Sequence, residues 1–238
     1  MIRRPTRSDA LRFLAPLASS LCALAAGAAT AADFSGTLTA TSDYVLRGVS
    51  QTQGDPAAQL GARLAFESGF YAALWGSQVD FGPALGTDAE IDASLGFNRN
   101  LGERWNLDLN LTRYLYTGTR GDANLDYNEV IATLTLDQRW WGLVAWSEDV
   151  FASGRRGVYS ELGAKFPLDE RWRLETIAAY YDLDDAYEDS YTRAQFSAIC
   201  RVGAVDLRAS AHWTSSAAER LFPGGGDSRA EVAATWSF

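Results

Sequence analysis

The sequence predicts an all-β chain closed into an antiparallel transmembrane β-barrel of about twelve strands in up-and-down order. Three observations carry this prediction. Past residue 32, apolar and aromatic residues recur at every second position, the mark of a strand with two unlike faces. The segments that alternate are joined by connections that tend to be long and short in turn, the layout of barrels that cross a bilayer. The last segment, EVAATWSF, still alternates at Phe238.

Residues 1–32 read as an export signal and not as structure. Arg3, Arg4, Arg7 and Arg12 give a cationic start, an apolar run spans 13–26, and Ala29-Thr30-Ala31-Ala32 forms a small-residue cleavage site before Asp33. The barrel is therefore expected over residues 33–238. The leader carries four Arg and one Asp, so a net charge of −9 for the whole chain becomes −12 for the mature part. Such a balance argues against a nucleic-acid binder, which needs a basic footprint. Cys22 leaves with the leader and Cys200 stands alone, so neither an internal disulfide nor a CxxC metal site is expected, and no cofactor. No later apolar run reaches the roughly 18 residues of a membrane-spanning helix, which leaves strands as the means of crossing.

The first strand is expected over 34–47, with Tyr44 near its end. Over 57–67, Ala58, Leu60, Ala62, Leu64 and Phe66 share one face and Gln59, Gly61, Arg63 and Glu67 the other, a pattern a helix would not hold. A turn at Ser68-Gly69 leads into 70–80. In 88–97, Ile91, Ala93, Leu95 and Phe97 alternate with Glu90, Asp92 and Ser94; in 104–116, Trp105, Leu107, Leu109 and Leu111 alternate with Asn106, Asp108 and Asn110. Strands over 126–136 and 140–151 flank the turn Asp137-Gln138-Arg139, and 157–166 and 171–182 flank 167–170. Segment 191–202 turns at Gly203 into 204–214, where Val205, Leu207, Ala209, Ala211 and Trp213 alternate with Asp206, Arg208, Ser210 and His212. In the last strand, 228–238, Val232, Ala234, Trp236 and Phe238 face lipid while Glu231, Ala233, Thr235 and Ser237 face the lumen. Most segments approach the roughly 9–11 residues that a tilted strand needs to cross a bilayer.

The long connections, rich in Gly, Asp and Ser, fall at 48–56, 81–87, 117–125, 152–156, 183–190 and 215–227, and 98–103 is the least compact of the short ones. Large aromatics gather near the segment ends. Phe66, Phe70, Phe97, Trp105, Trp140, Phe166, Trp172 and Phe238 lie at short-turn ends; Tyr44, Phe81, Tyr114, Tyr116, Tyr127, Phe151, Tyr181, Tyr191 and Trp213 lie at long-loop ends. They are expected to form the two interfacial girdles of a barrel in lipid. With Trp236 and Phe238 the last strand resembles the ending of many outer-membrane proteins, an assembly signal that the barrel-insertion machinery recognises, although Ala233 stands where Gly is common.

Residues 41–82, TSDYVLRGVSQTQGDPAAQLGARLAFESGFYAALWGSQVDFG, resemble the start of the TorF-like porin family of proteobacterial outer-membrane proteins. Ser42-Asp43-Tyr44, Arg47-Gly48 with Ser50-Gln51, Asp55-Pro56-Ala57 with Gln59, and Ser68-Gly69-Phe70-Tyr71 before Trp75-Gly76-Ser77 carry the likeness, while Ala73 and Gln78 depart from it. The resemblance implies a barrel in the outer membrane of a Gram-negative bacterium and supplies no functional residues.

Function is expected on the lumen face, because that face meets solute. By parity it holds the pore-lining set Arg47, Arg63, Asp92, Asp108, Glu161, Arg173, Arg193, Arg208 and His212, together with Glu90, Glu129, Lys165, Arg201 and Asp206. A basic ladder opposite an acidic one would select solutes by charge; the same charges could instead pair and fill the lumen. The expected role is passive diffusion of small solutes or ions, against a non-conducting structural or adhesive barrel, or a lipid-modifying enzyme. The enzyme reading fails in detail. Parity points His212 inward, and His212-Trp213-Thr214-Ser215 does not reproduce the His-x-Ser-Asn arrangement of outer-membrane phospholipase A. The acidic stretch DLDDAYEDSY reads as a solvated loop, since it lacks a calcium-loop frame. Arg155 and Arg156 offer a weak contact for lipopolysaccharide, and Arg113 points at lipid by parity, which either a bulge or snorkelling would accommodate. The expected partners are the lipid bilayer, lipopolysaccharide, the assembly machinery and small solutes, with a homo-oligomer allowed.

Overall fold

A computed structural model describes residues 32–121 and 123–238; the leader expected over 1–32 lies, apart from Ala32, outside the described residues. The strands are β1 (Ala32–Thr41), β2 (Val45–Leu46), β3 (Val49–Ser50), β4 (Ala57–Phe66), β5 (Phe70–Gln78), β6 (Ala89–Leu101), β7 (Trp105–Thr117), β8 (Tyr127–Leu136), β9 (Trp140–Ser147), β10 (Gly157–Pro167), β11 (Trp172–Leu183), β12 (Asp189–Val202), β13 (Val205–Thr214) and β14 (Arg229–Ser237). All but β2 and β3 form one closed barrel in the order β1-β14-β13-β12-β11-β10-β9-β8-β7-β6-β5-β4. The chain is thus the all-β, antiparallel, up-and-down barrel of twelve strands that its alternation predicts.

Closure explains the alternating tail. β14 pairs with β1 from Thr37↔Ser237 to Thr41↔Ala233, and Gly36 and Phe238 exchange backbone hydrogen bonds of 2.7 and 3.0 Å. A closed sheet leaves no unpaired edge, the condition for placing backbone in hydrocarbon. Its outer face matches that solvent. Leu60, Leu95 and Leu162 are 58, 68 and 71% exposed, and Leu74, Leu111, Val130, Val144 and Val232 also point out. An apolar belt of that extent is foreign to a soluble monomer.

The structure corrects the expected girdles at one end. At the short-turn end Phe70, Trp105, Trp140, Trp172 and Phe238 are exposed on the outer face. At the long-loop end Trp213 is exposed, but Tyr44, Tyr114, Tyr127, Tyr181 and Tyr191 are buried, none more than 8% exposed. Parity is the reason: Tyr114 follows Thr112 on the inner face, while Leu111 and Arg113 take the outer one. Those tyrosines form a collar inside the barrel instead of a belt around it.

The first strand is also shorter than expected. It ends at Thr41 rather than 47, and residues 42–56 turn into the lumen around the β2–β3 hairpin instead of forming an outer loop. The expected 98–103 connection shrinks because β6 runs to Leu101. Asn98 and Asn100 there do not make a turn: Asn106 Nδ2 on β7 donates to Asn98 Oδ1 at 3.0 Å and to Asn100 Oδ1 at 2.9 Å. The acidic 183–190 connection contracts to one helical turn, Asp184–Tyr187, between β11 and β12. Short helices Gly82–Leu85 and Ser216–Leu221 sit within two other long connections.

Candidate functional site

The inward hairpin is built from a small polar cluster. Asp43 Oδ1 accepts from Ser50 Oγ at 2.6 Å and Thr52 Oγ1 at 3.0 Å, and Asp43 Oδ2 accepts from Arg229 Nη1 on β14 at 2.9 Å. Burial of these partners together fixes the path of residues 43–52, since each would otherwise be left unsatisfied. The hairpin turns at Arg47 and Gly48, with φ of 51° and 87°. A Cβ on Gly48 would sit 2.9 Å from Thr214 Cγ2, so the second position takes glycine for space as well as for backbone.

This turn projects Arg47 across the lumen. Its Nη1 and Nη2 donate to Glu129 Oε1 and Oε2 on β8 at 2.8 and 2.6 Å, and Nη1 also donates to Tyr181 OH at 3.0 Å. The guanidinium lies 4.4 Å over the Tyr159 ring. Tyr114 OH donates to Glu129 Oε2 at 3.1 Å, and Tyr191 OH to the Arg47 carbonyl at 3.0 Å. The Arg47 and Glu129 side chains are 10% and 1% exposed. A bidentate, fully hydrogen-bonded pair is the form in which buried charges persist. It narrows the lumen at the long-loop end.

The half nearer the short turns is polar and more open. Arg173 Nη2 and Arg201 Nε donate to Asp206 at 2.8 and 2.9 Å, and Arg208 Nη2 donates to Glu175 Oε2 at 3.0 Å. The Arg173 and Arg208 side chains keep 29% and 31% exposure inside the barrel. Elsewhere on the inner wall Tyr71 OH donates to Asp108 Oδ1 at 2.8 Å, with Arg63 3.4 Å above the ring. Between the two halves, Glu161 accepts from Trp141 Nε1 at 2.9 Å and Tyr159 OH at 2.5 Å, and Arg193 Nη2 lies 3.9 Å from it. His212 Nε2 is 3.1 Å from Glu231 Oε2.

Of the residues picked out by parity, Arg63, Asp92, Asp108, Glu161, Arg173, Arg193, Arg208 and His212 all sit on barrel strands. Arg47 reaches the same space from the hairpin and not from a strand. The acidic Glu90, Asp92, Asp108 and Glu129 lie on β6–β8 and the basic Arg173, Arg193, Arg201 and Arg208 on β11–β13, where Asp206 pairs with Arg173 and Arg201. The basic arc is not bare. Glu175, absent from the expected set, offsets Arg208, and its alternation with Arg173 was the available signal. Asp43, Arg229 and the tyrosine collar were likewise missed as parts of the site.

Arg113 stays on the outer face and pairs with Asp126 at 3.3 Å. The β6–β7 ladder is unbroken from Ala89↔Thr117 to Leu101↔Trp105, so no bulge resets its parity. At the opposite rim, Arg104 grips Asp137 with bonds of 2.8 and 2.7 Å and holds that carboxyl below the ordinary aspartate range. In the acidic stretch, Asp185 pairs with Arg156 and Asp189 with Arg220. Among the described residues no three His, Cys, Asp or Glu side chains converge as metal ligands.

The barrel resembles solved outer-membrane proteins in fold. It superposes on the KdgM porin with a TM-score of 0.55 at 6% identity, covering 86% of this chain and 99% of that one. On the NanC porin the TM-score is 0.55 at 9% identity, with 87% and 99% covered. A KdgM porin in complex with disordered oligogalacturonate gives 0.53 at 6% identity, covering 87% and 99%. At such identities the likeness is one of architecture. No curated protein sequence matches the chain. A family model described as "bacterial protein of unknown function (Gcw_chp)" matches residues 25–238, nearly the whole chain, and the chain belongs to that family.

Proposed function

We propose that the protein is an outer-membrane channel of a Gram-negative bacterium for passive diffusion of small solutes. In this reading residues 1–32 direct export, residues 33–238 form the barrel, and Trp236 and Phe238 present the assembly signal. The observation that carries the proposal is the inversion of the usual globular pattern: an exposed apolar belt encloses Arg63, Asp108, Arg173, Arg193 and Arg208, several of them still reached by solvent. Charged side chains that keep contact with water inside the wall are what a polar solute path needs. The shared architecture with the KdgM and NanC porins and the TorF-like pattern of residues 41–82 support the same reading. His212 meets Glu231 inside the barrel, away from the lipid face where lipid chemistry occurs, and is assigned no catalytic role.

Refolded protein in a planar bilayer is expected to show discrete single-channel steps; their absence would overturn the proposal. Arg193→Glu and Arg208→Glu are expected to shift the reversal potential in a salt gradient toward cation preference, because each exchanges a lumen cation for an anion. If neither variant shifts it, these residues do not line the conducting path. One observation favours a non-conducting barrel, the seal of Arg47 against Glu129. Loop-dependent adhesion without conductance would support that second reading. Truncation to remove Phe238 is expected to lower the amount of heat-modifiable barrel in outer membranes severalfold, since that residue carries both the last pair of seam hydrogen bonds and the end of the expected assembly signal.

A further inference from the structure

We infer that the long-loop mouth of the barrel holds a binding site for a small, uncharged aromatic molecule. This rests on the channel reading for its direction, as the place where a solute would be captured above the constriction. A cavity of about 380 Å³ lies directly over the inward hairpin. That is within the range of about 300–1,000 Å³ typical of small-molecule sites.

The connections around the mouth converge on this space with apolar side chains. Phe81 and Leu85 come from the connection before β6, Phe151 from the one after β9, Tyr187 from between β11 and β12, and Phe222 from between β13 and β14. Loops that merely cover a polar pore would present hydrated side chains there. Phe151, Tyr187 and Phe222 form a triangle with centroid separations of 6.3, 6.1 and 6.4 Å, tilted or edge to face and not stacked. Phe151 has φ 53° and ψ 33°, and Ala152 also has positive φ. A bulky residue is rarely found in that left-handed region, and such outliers gather where a side chain must be held for a purpose.

The polar side of the cavity selects against the alternatives. Among the described residues Arg47 is the one cation in its lining, and Glu129 already holds it bidentately, so none of them offers a free positive charge to a carboxylate or phosphate. Asp80, also in the lining, would repel an anion. Sugar hydroxyls would find most of the lining polar groups committed: Ser50 Oγ donates to Asp43, Gln51 Nε2 to the Val49 carbonyl at 3.0 Å, Gln53 Nε2 to the Asp80 carbonyl at 3.3 Å, Tyr116 OH to Glu90 at 3.1 Å and Tyr191 OH to the Arg47 carbonyl at 3.0 Å, while Tyr181 OH accepts from Arg47. What remains open is ring and aliphatic surface together with the Asp80 carboxylate and the Tyr187 hydroxyl, which suits an uncharged aromatic ring bearing a hydrogen-bond donor such as an amide.

Equilibrium dialysis of the detergent-solubilised full chain against radiolabelled benzamide, with micelles alone as the blank, tests this. Saturable binding of one benzamide per chain is expected, at least tenfold weaker in Phe222→Ala and unmoved by an excess of glucose or glucuronate. Tyr187→Ala is the second variant, used if Phe222→Ala fails to show the heat-modifiable band of a folded barrel. Binding no greater than to micelles, equal binding in the folded variant, or displacement by glucose or glucuronate would each overturn the site. Conductance is scored separately in planar bilayers. Benzamide binding without current sinks the channel reading and sustains the site, while current without benzamide binding does the reverse.

Discussion

Replacing Arg47 by alanine is expected to raise single-channel conductance several-fold. The Arg47 side chain ties the inward hairpin to Glu129 and Tyr181, and it fills the lumen at the long-loop end with only 10% of it exposed. Removing one member of a buried ion pair costs about 3–5 kcal/mol, because the other charge is left uncompensated. The hairpin therefore has a strong reason to leave, or Glu129 to draw in water and cations. Either outcome widens the polar path, and the unpaired Glu129 carboxylate moves selectivity toward cations. In Arg47→Ala/Glu129→Gln the conductance should stay high while that added cation preference disappears. Planar-bilayer recordings read both quantities, and wild-type conductance in the two variants would show that the hairpin is not the constriction.

The second large effect is expected on folding. Gly96→Val should lower barrel stability by about 1–3 kcal/mol, the range for overpacking a filled interior. Tyr71 faces Gly96 across the β5–β6 ladder and lays its ring where a Cβ at residue 96 would stand. The ring is fixed from its far side as well, by Arg63 above it and by the hydrogen bond from its hydroxyl to Asp108. A valine must displace the ring and so break the Tyr71–Asp108 bond too, an aromatic covering of a strand glycine that barrels use to bend without exposing backbone. Urea midpoints in lipid vesicles measure the loss, and Gly96→Val/Tyr71→Ala should recover part of it. An unchanged midpoint in the single variant would mean that the ring is not held there. Gly163 beneath Trp141, between β10 and β9, repeats the device.

The parts of this structure legible in the sequence are those set by parity. Alternation located the barrel strands, and it assigned the outer face on which Leu95 and Val232 now lie exposed. It also held more than was taken from it: Arg113 on the outside already requires Tyr114 on the inside, yet position near a segment end suggested a girdle. The inward hairpin was hidden for a different reason. Asp43 read as part of the first strand and Ser50 and Thr52 as loop residues, and what turns them inward is Arg229, 186 positions from Asp43 in sequence, together with Glu129. Asn98 and Asn100 misled in the opposite sense, since residues that favour turns here accept hydrogen bonds from Asn106 across a ladder. Local propensity loses wherever a side chain finds a partner across the barrel.

The seam between β1 and β14 bears on the order in which the molecule forms. Thr39 and Thr235 touch through their hydroxyls at 2.9 Å while separated by 196 residues of chain, whereas every other neighbouring pair of barrel strands is consecutive along the wall apart from the short inward hairpin. Hairpins zip at small entropic cost, but a contact this remote must wait until the intervening sheet has curled. Amide protons at Gly36 and Phe238 should accordingly be the last to gain protection during refolding. Until they do, the sheet carries two open margins, and in that interval it is most prone to pair with another copy.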